Sequence, residues 1–297
     1  MIKKEELKKI KKLHLKTSLM VNASMSGQYK SVFRGSGMEF EEVREYKPGD
    51  DVRAIDWKVS ARMNKPYIKI FREEREANII IMIDMSSSGF FTTASMTKTE
   101  KAAEFAAVAA YAAIKNNDRA GLILFTDEVS VYLPPKKGVS HVWRLIREIY
   151  TFERKKGLKT DISKALEFFS KVSKAKTICF LVSDFISPSF ESQLKRAKQN
   201  NEIIGVKIRD KKDFSFPDIG VVSFLDPETN KELSFDLSSL KSRKILEKKG
   251  LDFETSLEKI FKKSKSDLIY LDTDQSSADL LINYFKYRHL RIQKTHG

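Results

Sequence analysis

Four predominantly apolar runs most constrain what this chain can fold into. They are Ile79–Ile83, Gly121–Phe125, Thr177–Val182 and Ile203–Ile208. A strand that is apolar on both faces is typical of a parallel sheet, since helices cover both of its sides. Alanine-rich or amphipathic segments at about 98–116, 140–151, 161–173 and 189–200 separate or follow these runs and predict helices. The alternation predicts an α/β fold with a doubly wound, mostly parallel, Rossmann-like sheet.

The flanking regions extend this pattern. Shorter strands are expected at Val129–Leu133 and Leu268–Leu271, a hairpin at 221–225 and 233–237, and a long helix at about 239–264. Residues 1–76 differ in character, with a short amphipathic helix, several glycines and one alternating strand at Tyr67–Phe71. We therefore predict an N-terminal segment, 1–76, and a second domain, 77–297.

The charge of the chain favours anionic partners. Its 55 Lys and Arg outnumber its 40 Asp and Glu, which gives a net charge of +15. Such a field acts on any anion and identifies no specific site. Leu7, Ile10 and Leu13 lie at helical spacing among seven lysines in the first sixteen residues. This basic helix either caps the body or binds an acidic membrane or partner.

Cysteine usage and hydropathy bear on location. The single cysteine, Cys179, lies in an apolar run, so we expect a buried thiol. No internal disulfide is possible, which removes any indication of an oxidising compartment. No apolar stretch reaches the ~18 residues of a membrane helix, and no signal-peptide core follows the N-terminal lysines. We expect a cytoplasmic protein.

Oxygen-bearing side chains follow two of the apolar runs. Asp84, Ser86 and Ser88 follow Ile83, and Asp184 follows the run at 177–183, while Thr160 precedes the predicted helix 161–173. Functional groups of an open α/β sheet gather at the carboxyl ends of its strands. Hard oxygen donors without His or Cys favour Mg²⁺, with Mn²⁺ or Ca²⁺ as alternatives. The alternative is that these side chains have no metal-binding role and serve only as turn and cap residues.

The Asp-x-Ser-x-Ser motif, with Thr160 and Asp184, resembles the metal-ion-dependent adhesion site of von Willebrand factor type A domains. Upstream, the stretches 31–40 and 43–57 resemble the signature of the domain-of-unknown-function family 58, as do Ser60–Arg62 and Phe71–Glu76. The similarity runs along essentially the whole chain. It implies a type A-like domain behind an N-terminal segment. It also implies a partnership with a MoxR-type AAA+ ATPase and its client proteins.

The stretch from Arg34 to Trp57 leaves two interpretations open. One is a docking surface for a partner, formed by Arg34, Arg44, Asp50, Arg53, Asp56 and Trp57. The other is an internal network of ion pairs, such as Arg44 or Arg53 with Asp50 or Asp56. We expect Trp57 itself to be a packing anchor.

The leading functional hypothesis is a non-enzymatic, metal-dependent protein-interaction module, in which the ion binds an acidic residue of a partner. A nucleic-acid-binding protein is one alternative, but the lysines are spread over nearly every helix and no recognition module appears. A Mg²⁺-dependent phosphoryl-transfer enzyme with Asp84 as acceptor is another. It is disfavoured because Ser86 stands where such enzymes usually place a second carboxylate, and no Walker loop or nucleophile elbow occurs.

Overall fold

In a computed structural model of the chain, the described residues are Leu13, Thr17, 39–72, 76–86, 96–153, 159–173, 176–210, 220–225 and 232–296. The chain divides into two compact units. Phe33–Ala77 form one, and Asn78–Gly297 form the other together with Met1–Val32. The predicted division into 1–76 and 77–297 stays a prediction. Of the predicted N-terminal helix only Leu13 and Thr17 are described, and both are helical and buried.

The small unit is built on a two-stranded antiparallel ribbon. Strand β1 (Glu39–Glu45) pairs with β2 (Tyr67–Arg72), and a 3-10 turn at Val52–Ala54 and helix α1 (Trp57–Met63) lie between them in sequence. Asp56 caps α1 by accepting from the backbone N–H groups of Lys58 and Val59. The predicted strand at 67–71 is confirmed. Neither β1 nor α1 was predicted, because neither carries a continuous apolar run.

The large unit contains a six-stranded sheet. Its strands are β3 (Asn78–Asp84), β4 (Arg119–Phe125), β5 (Val129–Lys136), β6 (Thr177–Ser183), β7 (Glu202–Arg209) and β10 (Asp267–Asp272). Their order across the sheet is β10-β7-β6-β3-β4-β5. Only the β4–β5 pair is antiparallel, because the three residues between them are too few for a crossover. The predicted doubly wound, mostly parallel sheet is confirmed.

Among the described residues, the large unit contains six helices with assigned first and last residues. They are α2 (Lys98–Lys115), α3 (Val139–Thr151), α4 (Ile162–Val172), α5 (Glu191–Asn200), α6 (Leu240–Lys263) and α7 (Ser277–His296). A second ribbon joins β8 (Val221–Leu225) to β9 (Glu232–Asp236) as predicted, although the predicted turn lies outside the described residues. None of the described helices combines the length and the hydropathy of a transmembrane helix.

The sheet is packed on both faces. Ile80, Met82 and Cys179 belong to a cluster that includes buried residues of α4, α5 and α6. Helix α2 contacts α3 and α7, and every one of its residues from Lys101 to Ala113 is buried. Ile79, Ile81 and Ile83, which alternate with the first set, are fully buried as well. The thiol of Cys179 is buried as expected, and this burial raises its pKa.

Candidate functional site

The strand order brings two carboxylates to one edge of the sheet. Asp84 is the last residue of β3, and Asp184 follows the last residue of β6. These strands are parallel neighbours, with Ile83 opposite Val182. The chain also runs to opposite sides of β3, since β4 flanks it on one side and β6 on the other. This is the topological switch point at which open α/β sheets bind ligands.

A loop contact brings Thr160 to the same place. The N–H of Asp161 donates to the carbonyl of Thr126 at 2.9 Å, just beyond β4. Ser187 fixes the other side, because its hydroxyl accepts from the N–H of Ile162 at 3.2 Å and donates to the carbonyl of Thr160 at 3.4 Å. The Thr160 hydroxyl consequently lies 3.2 Å and 3.4 Å from the two carboxylate oxygens of Asp84.

Asp84 is the centre of this cluster. Its Oδ1 accepts from the N–H of Ser86 at 2.9 Å, and its Oδ2 accepts from the hydroxyl of Ser183 at 2.7 Å. Burial, and then the negative charge of Asp184, raise the pKa of Asp84 to about 6, against the opposing effect of these hydrogen bonds. The ionised carboxylate is therefore costly here unless positive charge is added.

The turn after β6 sets the position of Asp184. Phe185 has a positive φ of 64°, a left-handed conformation that is uncommon for a bulky residue. Its ring is buried and packs edge-on against Phe261 at 5.4 Å, while its N–H donates to the Ser183 hydroxyl at 2.8 Å. Oδ1 of Asp184 accepts from the N–H of Ile186 at 3.0 Å. Core packing thus holds a strained turn beside the second carboxylate.

A small pocket opens at this edge, with a volume of about 20 Å³, which is room for one water molecule or ion. Among its lining residues are Asp84, Ser86, Asp184 and, from the first turn of α2, Lys98 and Thr99. The donor set is entirely oxygen and fits a hard cation. Among the described residues no group of three His, Cys, Asp or Glu side chains could hold a metal ion, so a zinc-type site is not indicated there.

The structure thus brings Asp84, Ser86, Thr160 and Asp184 together, while Ser88 lies outside the described residues. Their role as metal ligands stays a prediction. Sequence reasoning missed two positioning residues, Ser183 and Ser187. Both are small hydroxyl residues next to the predicted Asp184. Their closeness to Asp184 in sequence was the only signal that could have indicated this role. It does not reveal which of the two side chains faces the carboxylate of Asp84.

The predicted docking residues lie in the small unit, except that Arg34 lies outside the described residues. Arg44 and Asp50 form the expected ion pair, with two hydrogen bonds of 2.8 Å. These bonds raise the pKa of Arg44 and lower that of Asp50. Asp56 pairs with Lys69 at 3.3 Å, and Asp51 accepts from the N–H of Arg53. The predicted network is therefore present in part.

The expectation that Trp57 is a packing anchor is wrong. Its side chain lies in the first turn of α1 and is 72% exposed. Ser60, one turn further along the same helix, accepts from the N–H of Tyr67 at 2.8 Å. Trp57 is joined by two further exposed apolar side chains of this unit, Val52 and Met63.

Fold and site together define the class of protein: a doubly wound α/β protein with a cluster of oxygen donors at its switch point. The family model described as "Protein of unknown function DUF58" matches residues 42–255, and the chain belongs to this family. The chain is similar to the uncharacterised protein Rv1480 of Mycobacterium tuberculosis. The two are 27% identical over 231 residues, which cover 76% of this chain and 73% of the relative.

Similar solved structures include the following two. BatB, a conserved hypothetical protein of Bacteroides thetaiotaomicron, is 14% identical with a TM-score of 0.49, and the match covers 71% of this chain and 98% of BatB. The VWA domain of SpRpn10 is 12% identical with a TM-score of 0.39, and that match covers 69% of this chain and 93% of the other.

Proposed function

We propose that the protein is a non-enzymatic protein-interaction module whose binding depends on a divalent cation. The proposed ligands are Asp84, Ser86, Thr160 and Asp184, with Ser88 added from the sequence motif alone. The convergence of two carboxylates and two hydroxyls from distant parts of the chain at the switch point carries this proposal. Mg²⁺ is the first candidate ion because every donor is a hard oxygen, and Mn²⁺ and Ca²⁺ suit the same donors.

Electrostatics supports a cation at this place. Asp84 is surrounded by buried surface and faces a second carboxylate, and these two effects raise its pKa to about 6. A divalent ion would balance both negative charges and favour the ionised form of Asp84. Its chemical contribution, when bound, is to offer a coordination position to an outside oxygen ligand. Ser183 and Ser187 then act as positioning residues for Asp84 and Thr160.

The partner we propose supplies an acidic side chain to the ion. A hard cation takes six or more oxygen ligands, so this donor set leaves room for a carboxylate from another protein. The family resemblance suggests a MoxR-type AAA+ ATPase or one of its clients. The small unit, which exposes Val52, Trp57 and Met63, is a second proposed contact, because Trp, Met and Arg are enriched at protein interfaces.

Metal binding is tested by titrating the purified full chain, stripped with EDTA, with Mg²⁺, Mn²⁺ and Ca²⁺ in a calorimeter. We expect saturable binding by the wild type and none by Asp84→Asn, which keeps the size of the side chain. Asp272→Asn is the matched control, since Asp272 ends β10 at the same edge of the sheet and pairs with Arg209 at 2.9 Å. Equal binding by the wild type and Asp84→Asn would contradict the site.

Partner binding is tested separately with a purified, immobilised MoxR-type ATPase. We expect retention of the wild type in Mg²⁺, loss of retention in EDTA, and no retention of Asp84→Asn under either condition. Retention that is the same in EDTA and in Mg²⁺ would contradict metal dependence. If the protein binds the metal ion but is not retained by the ATPase, the proposed metal site stands and the proposed partner is rejected.

A further inference from the structure

Helix α6 has two halves of different character. Its C-terminal half is anchored in the core, where Leu257 and Phe261 are 2% and 1% exposed. Its N-terminal half, residues 240–252, contains only one buried residue, Gly250. Three large apolar side chains of this half are instead open to solvent, namely Leu240 (67%), Ile245 (48%) and Leu251 (61%). The helix thus holds an apolar surface away from the core on a rigid support.

The same half is strongly basic. Residues 240–251 contain five basic side chains and one acidic side chain, Glu247. Four of the basic residues are exposed lysines that make no ion pair with any described residue: Lys241, Lys244, Lys248 and Lys249. Their charge is therefore available to an outside anion.

Two of the leucines and two of the lysines share one side of α6, whereas Ile245 and Lys249 project about 140° and 180° from Leu240. Leu240 and Leu251 are eleven residues apart, which places them within about 20° of each other around the helix axis. Lys244 and Lys248 project about 40° and 80° from Leu240. The result is a stripe about three turns long in which lysines border leucines, which we call the α6 stripe (Leu240, Lys244, Lys248 and Leu251).

The composition of the α6 stripe distinguishes between possible anionic partners. Protein interfaces are depleted in Lys and enriched in aromatic residues and Arg, whereas the stripe pairs its leucines with exposed lysines and has no aromatic side chain. Nucleic acids bind lysines mainly through phosphates, and a phosphate backbone gives leucines on the same surface no apolar contact. An anionic lipid surface accommodates both the lysines and the leucines. The lysine side chains extend to the lipid phosphates, while the leucines enter the boundary of the acyl chains.

We propose that the α6 stripe binds the anionic surface of a membrane, with α6 lying along the lipid headgroups. Binding is peripheral and reversible, because two leucines and the lysines beside them are far less than a membrane-spanning helix provides. Each lysine near an anionic surface strengthens binding by about fivefold. The interaction involves residues outside the candidate metal site and proceeds in EDTA.

The test is co-sedimentation of the full chain with vesicles in EDTA and low salt. One set contains about 30% phosphatidylserine in phosphatidylcholine, and the other is phosphatidylcholine alone. We expect the wild type to bind the anionic vesicles only. Lys244→Gln/Lys248→Gln is expected to weaken binding about twentyfold, and Leu240→Gln/Leu251→Gln about tenfold.

Matched control variants separate the α6 stripe from the general positive charge. Lys171→Gln/Lys286→Gln removes the same charge from exposed positions on α4 and α7. Tyr287→Gln/Leu290→Gln removes apolar side chains that are 64% and 57% exposed on α7. Both controls are expected to bind within about twofold of the wild type, and circular dichroism checks that every variant is folded.

Three results would overturn the proposal. They are no binding of the wild type to anionic vesicles, equal binding to both kinds of vesicle, and equal losses in the stripe variants and their controls. A gel shift with duplex DNA that weakens in the lysine variant but not in the leucine variant, without vesicle binding, would assign the stripe to nucleic acid instead.

Discussion

The hydroxyl of Ser183 donates a 2.7 Å hydrogen bond to Oδ2 of Asp84, across 99 residues of sequence. The same hydroxyl accepts from the buried N–H of Phe185 at 2.8 Å. One small side chain therefore joins the end of β3 to the strained turn that carries Asp184. The geometry of the two carboxylates depends on this link.

Replacing Ser183 by Ala is expected to destabilise the protein. The buried N–H of Phe185 would lose its acceptor and Asp84 would lose a donor, and an unsatisfied buried group costs about 1–3 kcal/mol. Urea unfolding of the two proteins measures the difference. Ser170→Ala is the control, because the Ser170 hydroxyl only bonds back to the carbonyl of Leu166 within α4. Equal stabilities of Ser183→Ala and Ser170→Ala would argue against the proposed link.

Gly205, in the middle of β7, has no room for a larger side chain. A Cβ at this position would lie 2.5 Å from Cε1 of Phe261 and 2.9 Å from Cδ1 of Leu268. We expect Gly205→Ala to lower the free energy of unfolding by about 1–3 kcal/mol through overpacking. The double variant Gly205→Ala/Phe261→Leu should lose less than the sum of its single variants. Strict additivity in urea unfolding would contradict this contact.

The sequence predicted the large unit well, because its central strands β3, β4 and β6 each contain a continuous apolar run. Ile79–Ile83 can only be buried on both faces, and the structure places it in the centre of the sheet. The small unit was harder to predict. Its strand β1 reads Glu-Phe-Glu-Glu-Val-Arg-Glu, and pairing with β2 rather than periodicity defines it.

In the candidate site, too, the features that depend on tertiary packing could not be predicted from the sequence. Asp84 and Asp184 could be predicted, because parallel strands place their carboxyl ends at one edge. The positive φ of Phe185 could not, because a bulky residue in a left-handed conformation depends on tertiary packing against Phe190 and Phe261. The exposure of Trp57 was also missed, since the hydrophobicity of a tryptophan favours burial in any reading of sequence alone.

Because Trp57 is 72% exposed, its removal should have little effect on stability. We expect Trp57→Ala to change the free energy of unfolding by less than about 0.5 kcal/mol, as is usual for surface substitutions. Ile68→Ala is the comparison within the same unit, since Ile68 is 6% exposed and its loss should cost about 2–4 kcal/mol. Thermal unfolding of both variants provides the measurement. A loss above about 2 kcal/mol for Trp57→Ala would restore its role as a packing anchor.

Asp267 makes the stability of the β10–α7 contact depend on pH. Burial opposes its ionisation, but hydrogen bonds from Arg291 at 2.8 Å and Tyr284 at 2.9 Å prevail and lower the pKa of Asp267. Because the folded pKa lies below the ordinary value, the ionised carboxylate contributes stability above that value, about 4. This contribution disappears as the pH falls through the lower folded pKa.

The expected signature is a difference between the wild type and Asp267→Asn that depends on pH. At pH 7 we expect the variant to be less stable by about 1–2 kcal/mol, a modest value because Arg291 is half exposed. The difference should shrink steadily below pH 4, where the wild-type carboxylate takes up its proton. Urea unfolding at pH 7, 5, 4 and 3 measures it, with Asp252→Asn, an exposed carboxylate on α6, as the control. A difference that stays constant down to pH 3 would show that the ionised form of Asp267 contributes nothing.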